Sequence, residues 1–302
     1  MIEILMRSAA LLLMVVAAQP ALAALNIFAC EPEWGALAKE LAGDKSTIYV
    51  ATTALQDPHR IEARPSLIAR ARSADLLVCT GADLEAGWLP LVQSQSGNAR
   101  IQSGQPGNFE AARQLVLLDV PQRLDRSLGD IHAAGNPHVH LDPRNIAKVA
   151  AALAERMAQL DRAEAAHYQA RAKDFLARWQ QAMARWDREG AALKGVSVVV
   201  YHRDLPYLLN WLGMREAGAL EPKPGLPPST AHLTDLVARL AKDPPKGVIR
   251  SAYNDPRPAQ WLSERAKIPV VLLPFTVGGT DKAKDLFGLY DDTLARLLVL
   301  TK

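Results

Sequence analysis

The sequence predicts an α/β fold made of two lobes, each with a parallel sheet, joined by a long rigid backbone helix. Short β-branched or apolar runs alternate with amphipathic helical runs in the first half, from LNIFAC at 25–30 to DLEAGWLPLVQ at 83–93. The same alternation returns in the second half, from KGVSVVVYH to PVVLLPF. Such alternation is typical of parallel strands connected by crossover helices. With 302 residues, the chain is large for one hydrophobic core and fits two domains.

The connecting helix is predicted from a segment without breakers. Residues 145–188 contain neither Gly nor Pro, and Asp142 followed by Pro143 supplies an N-cap and a first-turn proline. A helix of about 40 residues would span about 60 Å and disfavour large hinge motions. A helical hairpin is the alternative. We therefore expect lobes at 24–142 and 189–302, with the helix at 143–188.

The N-terminus has the pattern of a secretory signal peptide. Arg7 precedes an apolar run from Ala9 to Ala18, and Pro20 precedes the small-residue triplet that ends at Ala23. The run is about 10 residues long, too short to span a bilayer. We expect cleavage after residue 23. Because no cysteine stands at the cleavage site to carry a lipid anchor, the pattern predicts a freely diffusing periplasmic protein.

Composition and cysteine usage narrow the function classes. A formal charge of +3, without a block of like charges, argues against a nucleic-acid partner. Cys30 and Cys79 each end a strand-like run, so a disulfide is possible if those strands are neighbours. Two buried free thiols are the equal alternative. A two-cysteine metal site is disfavoured because CxxC spacing is absent.

Histidines in loops and at strand ends mark a candidate metal site. His59 follows Asp-Pro in a loop, His138 follows Asn-Pro just before the connecting helix, and His202 ends the strand-like run VSVVVYH. Ligands of open parallel sheets bind at the carboxyl ends of the strands, so we expect these three side chains to converge. Three imidazoles and one further ligand make a tetrahedral zinc set. His167 and His232 are interpreted as surface or helix-end residues.

Three motifs resemble those of the zinc and manganese solute-binding proteins of ABC importers. They are DPH at 57–59, NPHVHLDP at 136–143 and YHRDLPYLLNWLG at 201–213, and the resemblance continues from Leu25 to the C-terminus. It implies that His59, His138 and His202 are the metal ligands. His140 takes a position usually held by an aromatic residue. A histidine at the third site, where manganese-selective relatives often have glutamate, favours Zn²⁺ over Mn²⁺.

The fourth ligand departs from the pattern of the family. Many relatives place an aspartate just beyond a Phe-Thr pair, but Val277 stands there in this chain. Asp281, on a turn with two glycines, is the predicted replacement. Asp285, His132 or a water molecule are the alternatives.

The function implied by the resemblance is the capture of zinc in the periplasm and its delivery to the membrane permease of an ABC importer, by a protein expected to be monomeric. A periplasmic zinc metallochaperone would differ only in its partner. A three-histidine zinc hydrolase is the alternative from another class. The sequence has no HExxH pair, no GxSxG motif and no glycine-rich phosphate loop, so we predict that the chain is not an enzyme.

Overall fold

The computed structural model describes residues 24–123, 125 and 129–302. The predicted signal peptide at 1–23 lies outside the described residues. Within the described part of the chain, no helix combines the length and the apolar character that crossing a membrane requires.

The N-terminal lobe is a four-stranded parallel sheet with the strand order β2-β1-β3-β4. Its elements are β1 (Leu25–Ala29), α1 (Pro32–Ala42), β2 (Ser46–Val50), α2 (Pro65–Arg72), β3 (Leu76–Cys79), α3 (Leu89–Ser96) and β4 (Asn108–Glu110). Every residue of β3 is buried, as expected for a parallel strand covered on both faces. The chain passes from β1 to β2 on one side of it and then crosses to β3 on the other side. The strand order therefore reverses between β1 and β3, which is the kind of switch point where such sheets bind ligands.

Two helices, rather than one, occupy the segment between the lobes. They are α4 (Pro143–Leu160) and α5 (Ala165–Gly190). The chain turns at Asp161, which accepts a hydrogen bond from Tyr168 Oη, and Trp179 donates to the carbonyl of Pro143 at the other end. The helices are therefore antiparallel, and the predicted single helix over 143–188 is wrong in its extent. Helix α4 has an apolar stripe, and in one extended helix part of this stripe would be exposed to water. The hairpin forms because packing against α5 covers it.

The C-terminal lobe repeats the architecture of the first, with the strand order β6-β5-β7-β8 and all pairs parallel. Its elements are β5 (Ser197–Val200), α6 (Pro206–Leu212), β6 (Arg215–Ala219), α7 (Thr230–Leu240), β7 (Gly247–Ser251), α8 (Pro256–Ala266), β8 (Val270–Leu273) and α9 (Leu286–Leu297). Two parallel-sheet α/β lobes and a long helix confirm the predicted fold class.

Helix α5 is the long connecting helix, and it contacts both lobes. Its 26 residues span about 39 Å. Arg178 forms an ion pair with Glu40 of α1 at 2.6 Å, and Arg185 forms one with Asp291 of α9 at 2.8 Å. One hydrophobic core runs from the N-terminal lobe through α4 and α5 into the C-terminal lobe. The lobes are thus held together by shared packing as well as by the chain connection.

The aromatic side chains of α5 form the middle of this core. Trp179 packs against Phe287, and Trp186 packs against Tyr290, with ring centroids 4.9 Å apart in both pairs. Both tryptophans are fully buried. Aromatic contacts of this kind are among the larger single contributions to core packing, so they fix α5 against the C-terminal lobe.

A disulfide joins Cys30 and Cys79 at the carboxyl ends of β1 and β3. These strands are direct neighbours, with Ala29 paired to Val78, and the Cα atoms of the two cysteines lie 4.8 Å apart. The structure thereby decides between the two alternatives that the sequence leaves open. The bond fastens the centre of the N-terminal sheet close to its switch point.

Candidate metal centre

Three histidines from three separate segments meet between the lobes. His59 lies in a short helical turn after β2, His138 directly precedes the turn that leads into α4, and His202 follows β5 by two residues. One ring nitrogen from each lies within 4.8 Å of the other two. His138 and His202 are buried, and the side chain of His59 is 11% exposed. The structure therefore brings together the three residues singled out in the sequence.

The two ligand candidates of the N-terminal lobe share one local motif, in which an Asx residue and a proline precede the histidine. Oδ1 of Asp57 accepts hydrogen bonds from the backbone nitrogen of His59 at 3.0 Å and from its Nδ1 at 2.8 Å. Oδ1 of Asn136 accepts the same pair from His138, at 3.1 and 2.9 Å. In both cases Nδ1 carries the proton, so the lone pair is on Nε2.

The third histidine is oriented by a residue that the sequence analysis does not identify. Nδ1 of His202 lies 2.7 Å from Oε2 of Glu221. Glu221 follows β6 by two residues, just as His202 follows β5 by two, so the rule for strand ends could have found it. All three histidines thus donate through Nδ1, which is the arrangement that metal-binding histidines commonly have.

One of the converging nitrogens has no protein partner in the described part of the chain. Nε2 of His138 is buried and has no hydrogen-bond partner among the described residues. Buried polar atoms in folded proteins are nearly always paired, so an unpaired lone pair here indicates a ligand. A cleft of about 780 Å³ opens beside His132, His138 and His202, which gives an ion a way in.

The electrostatics of the centre suit a divalent cation. Burial, followed by the neighbouring imidazoles of His59 and His202, lowers the pKa of His138 well below its usual value, so the ring is neutral at pH 7. Burial opposes protonation of His202, but Glu221 and Asp204 outweigh it and raise the pKa. The carboxylates of Asp57 and Glu221 lie next to Nδ1 of His59 and Nδ1 of His202, on the far side of each ring from Nε2. They supply negative charge that offsets the charge of an incoming dication.

A fourth histidine lies at the edge of the group. Nε2 of His132 is 3.3 Å from Nε2 of His59, and the two ring centroids are 5.3 Å apart. Burial lowers the pKa of His132 to about 4, with the charge of His59 as the next cause. At this distance, Nε2 of His132 and Nε2 of His59 could bind the same ion. His132 was one of the alternatives for the fourth ligand.

The structure does not bring Asp281 to the histidines. Asp281 is exposed on the turn after β8, and Asp285 caps α9 by accepting a hydrogen bond from the backbone nitrogen of Gly288 at 2.7 Å. The turn is closed by a bond from Gly278 N to Ala283 O. Coordination by Asp281 would require this turn to rearrange, so its assignment as a ligand stays a prediction.

His140 has structural contacts instead of a place among the converging nitrogens. Its Nε2 lies 3.0 Å from the carbonyl oxygen of Phe275, and its Nδ1 lies 3.2 Å from Oε1 of Glu33, at an angle outside that of a hydrogen bond. Tyr290 Oη donates to the backbone carbonyl of His140. His140 therefore connects the start of α4 to both lobes.

The remaining two histidines lie away from the centre, on α5 and α7. Nε2 of His167 is 2.8 Å from the carbonyl oxygen of Ala42, and Nε2 of His232 is 3.0 Å from that of Ala219. Both lie in the first turn of their helices, which agrees with their interpretation as helix-end residues, and both are half-buried.

A separate buried cluster of carboxyl groups lies close to the disulfide. Glu85 accepts hydrogen bonds from the backbone nitrogens of Thr80 at 2.7 Å and Gly81 at 3.1 Å, and the hydroxyl of the same Thr80 donates to Glu31 at 3.2 Å. Burial raises the pKa of Glu85 to about 7, and burial together with Glu85 raises that of Glu31. Two neighbouring buried carboxyl groups disfavour full ionisation of the pair. Because both cysteines are used in the disulfide, they are not available here as metal ligands.

Known proteins with a similar sequence include one from Paracoccus denitrificans (strain Pd 1222), described as the high-affinity zinc uptake system protein ZnuA. The chain is 26% identical to it over 298 residues, which cover 87% of this chain and 86% of that protein.

Two examples represent the solved structures with a similar fold. One is the crystal structure of ZnuA, with a TM-score of 0.73 and 19% identity over 91% of this chain and 99% of that one. Another is the manganese-bound periplasmic metal binding protein of Candidatus Liberibacter asiaticus, with a TM-score of 0.73 and 16% identity over 91% and 99% of the two chains. A family model described as ZnuA, zinc-uptake complex component A periplasmic, matches residues 27–298, and the chain belongs to that family.

Proposed function

We propose that this chain captures one Zn²⁺ through Nε2 of His59, His138 and His202 and delivers it to the membrane permease of an ABC importer. The observation that carries this proposal is the convergence of three nitrogens within 4.8 Å, each with its other nitrogen held by a hydrogen-bond acceptor. Membership of a zinc-uptake family supports the same cargo and the same kind of partner.

Zinc is favoured over manganese by the chemistry of the donors. Neutral imidazole suits zinc, whereas manganese prefers carboxylate, carbonyl and water oxygens. Asp57 and Glu221 contribute their charge through hydrogen bonds to His59 and His202 rather than through direct coordination. We infer that Mn²⁺ binds this centre more weakly than Zn²⁺.

For the fourth position we propose His132, because its Nε2 already lies next to that of His59. Asp281 remains the carboxylate alternative. Zinc titrations of His132→Ala and Asp281→Ala separate the two. We expect the first variant to lose affinity and the second to keep that of the parent, and the reverse result would assign Asp281.

The central test is zinc binding by the purified protein in competition with a coloured chelator. We expect one zinc per chain. We expect the zinc affinity of His59→Ala, His138→Ala and His202→Ala to fall by more than roughly 10- to 100-fold, which is the loss that follows when a residue hydrogen-bonded to a metal ligand is removed. His232→Ala, which alters a remote histidine, is the matched control and should bind as the parent does. Unchanged affinity in the three variants would refute the site.

Membership of the zinc-uptake family favours an importer permease over another periplasmic protein as the partner that receives the zinc. We propose that the chain acts in the periplasm as a freely diffusing monomer, without enzymatic activity, after cleavage of residues 1–23. Zinc-dependent transport into vesicles that contain the cognate permease and ATPase would support delivery to the importer. Transfer of zinc to another periplasmic protein, without transport, would favour the metallochaperone. Zinc-dependent hydrolysis of a substrate would favour the hydrolase.

A further inference from the structure

We propose that Asn136 is a positioning residue that couples the orientation of His138 to the contact between the two lobes, and that it thereby sets how long zinc is retained. This inference rests on the proposed function, because it concerns the same ion in the same site. It assigns to Asn136 a role that acts through His138 rather than by contact with the metal.

The side-chain amide of Asn136 makes contacts in two directions. Its Oδ1 accepts from the backbone nitrogen and the Nδ1 of His138, which fixes the ring. Its Nδ2 donates to the carbonyl oxygen of Arg203 at 2.9 Å. Arg203 directly follows His202, so one planar amide links the ligand of the N-terminal segment to the backbone beside the ligand of the C-terminal lobe.

The backbone of Asn136 is fixed from both sides as well. Tyr207, a buried residue of α6 in the C-terminal lobe, donates its hydroxyl hydrogen to the carbonyl of Asn136 at 2.8 Å and accepts from the backbone nitrogen of Leu118 at 3.0 Å. The nitrogen of Asn136 donates to the carbonyl of Leu118 at 2.8 Å. Asn136 therefore lies where the lobes meet, with its position determined by contacts from each.

Asp57 occupies the equivalent place before His59, and the comparison explains why an amide is needed at 136. A carboxylate accepts hydrogen bonds only, whereas an amide accepts at oxygen and donates at nitrogen. At Asp57 the bond across the cleft comes instead from Arg60, whose Nη2 donates to the carbonyl of Gly225 at 2.7 Å. At position 136 one side chain makes both contacts, because it accepts from the histidine and donates to the C-terminal lobe.

The coupling follows from the rigidity of the amide group. The carbonyl of Arg203 holds the nitrogen end of the planar amide, and this contact keeps the oxygen end facing Nδ1 of His138. When the C-terminal lobe shifts and this contact is lost, the amide is free to turn its oxygen away from Nδ1. The ring then loses the bond that holds Nε2 toward the ion. Metal affinity depends on residues that hydrogen-bond to the ligands, so zinc should dissociate faster when the contact between Asn136 and Arg203 is removed.

The test is the variant Asn136→Asp, which keeps the acceptor for His138 and removes the donor to Arg203. Zinc dissociation is measured by stopped-flow transfer to an excess of chelator. The added negative charge by itself would slow the loss of a cation. The proposed link predicts the opposite sign, with dissociation roughly 2- to 10-fold faster and the association rate little changed.

A second variant, Tyr207→Phe, tests the same link without a change of charge. It removes the hydroxyl that donates to Asn136 and should also speed zinc dissociation. The melting temperature of both zinc-free variants is measured in parallel, because a purely structural role would lower it and leave the dissociation rate unchanged. Dissociation as slow as in the parent protein, in both variants, overturns the proposal.

The same data separate this inference from the proposed function. If the parent binds zinc and His138→Ala does not, while Asn136→Asp and Tyr207→Phe release zinc at the rate of the parent, the site stands and the positioning role falls. If His138→Ala binds zinc as tightly as the parent, the proposed site itself is wrong.

Discussion

Oε2 of Glu221 lies 2.7 Å from Nδ1 of His202, across the gap between the ends of β5 and β6. The same oxygen accepts a hydrogen bond from the backbone nitrogen of Gly225 at 2.8 Å, so its position is fixed by the loop. A half-buried carboxylate in this place both orients the ring and strengthens Nε2 as a donor to a metal. Glu221 is thus part of the proposed metal centre through its contact with His202.

Replacing Glu221 should therefore weaken zinc binding without abolishing it. We expect Glu221→Ala to lose about 10- to 100-fold in affinity, and Glu221→Gln to lose less, because a glutamine oxygen can still accept from Nδ1. Competition titration at neutral pH measures both. Equal affinity in the parent and the alanine variant would contradict a role for this carboxylate.

The disulfide should contribute to stability and not to metal binding. The double variant Cys30→Ser, Cys79→Ser opens a loop defined by a sequence separation of 49, and we expect a loss of about 2–4 kcal/mol in the free energy of unfolding. Urea unfolding of the oxidised parent, the reduced parent and the double variant measures this loss. Zinc stoichiometry should be the same in all three, and a loss of bound zinc would mean that the cysteines take part in the site.

The buried carboxyl pair predicts a pH dependence of stability. The pKa of Glu85 is about 7 in the folded protein, against 4.5 for an ordinary glutamate, so the folded state holds the proton more tightly. The stabilisation is complete below about pH 4.5 and is lost as the pH rises through about 7. Glu85→Gln keeps a neutral group at this place and should gain in stability relative to the parent over that range.

Thermal unfolding at about pH 5 and about pH 8 checks this prediction. The difference in unfolding free energy between Glu85→Gln and the parent should grow toward high pH by on the order of 1–3 kcal/mol. Glu62→Gln, at an exposed carboxylate, makes the same charge change and serves as control. A difference that stays constant with pH would show that Glu85 is ionised throughout.

His140 should matter for stability and hardly for zinc. Its buried ring contacts Phe275 and lies beside Glu33, so His140→Ala leaves a cavity and an acidic group without its neighbour. We expect a loss of about 2–5 kcal/mol in unfolding free energy, with zinc affinity within a few-fold of the parent. Differential scanning calorimetry and titration test the two effects separately. Loss of zinc by this variant, but not by His138→Ala, would reverse the assignment.

The three histidines that converge could be singled out from the sequence because their signals are local. An Asx residue and a proline before His59 and His138 set the turn and the ring orientation within three residues, and a strong strand before His202 places it at a carboxyl edge. The helix break at Asp161 had no such signal, since neither Gly nor Pro is present and the reversal is stabilised by tertiary packing of α4 on α5.

The outer parts of the centre depend on contacts between distant segments. His132 and His59 are 73 residues apart in sequence, so their proximity does not follow from spacing. Glu221 is 19 residues from His202, and only its place at the end of β6 could have indicated the contact. Asp281 was predicted because it lies four residues after Val277, the position where many members of the resembled family have an aspartate ligand. In the folded protein the turn after β8 is fixed by Thr280, which donates to Asp292 at 2.6 Å, and this bond keeps the turn closed without regard to the metal.

The continuous core along α5 has a consequence for how a loaded protein can be recognised. Since Trp179 and Trp186 pack within one core that spans both lobes, a wide opening would expose a large apolar surface to water. We therefore expect zinc to change the loops that carry His59, His132 and Glu221 rather than the angle between the lobes. The overall outline of the protein would stay nearly the same with and without zinc. A permease that discriminates between the empty and the loaded protein would therefore have to recognise the conformation of those loops.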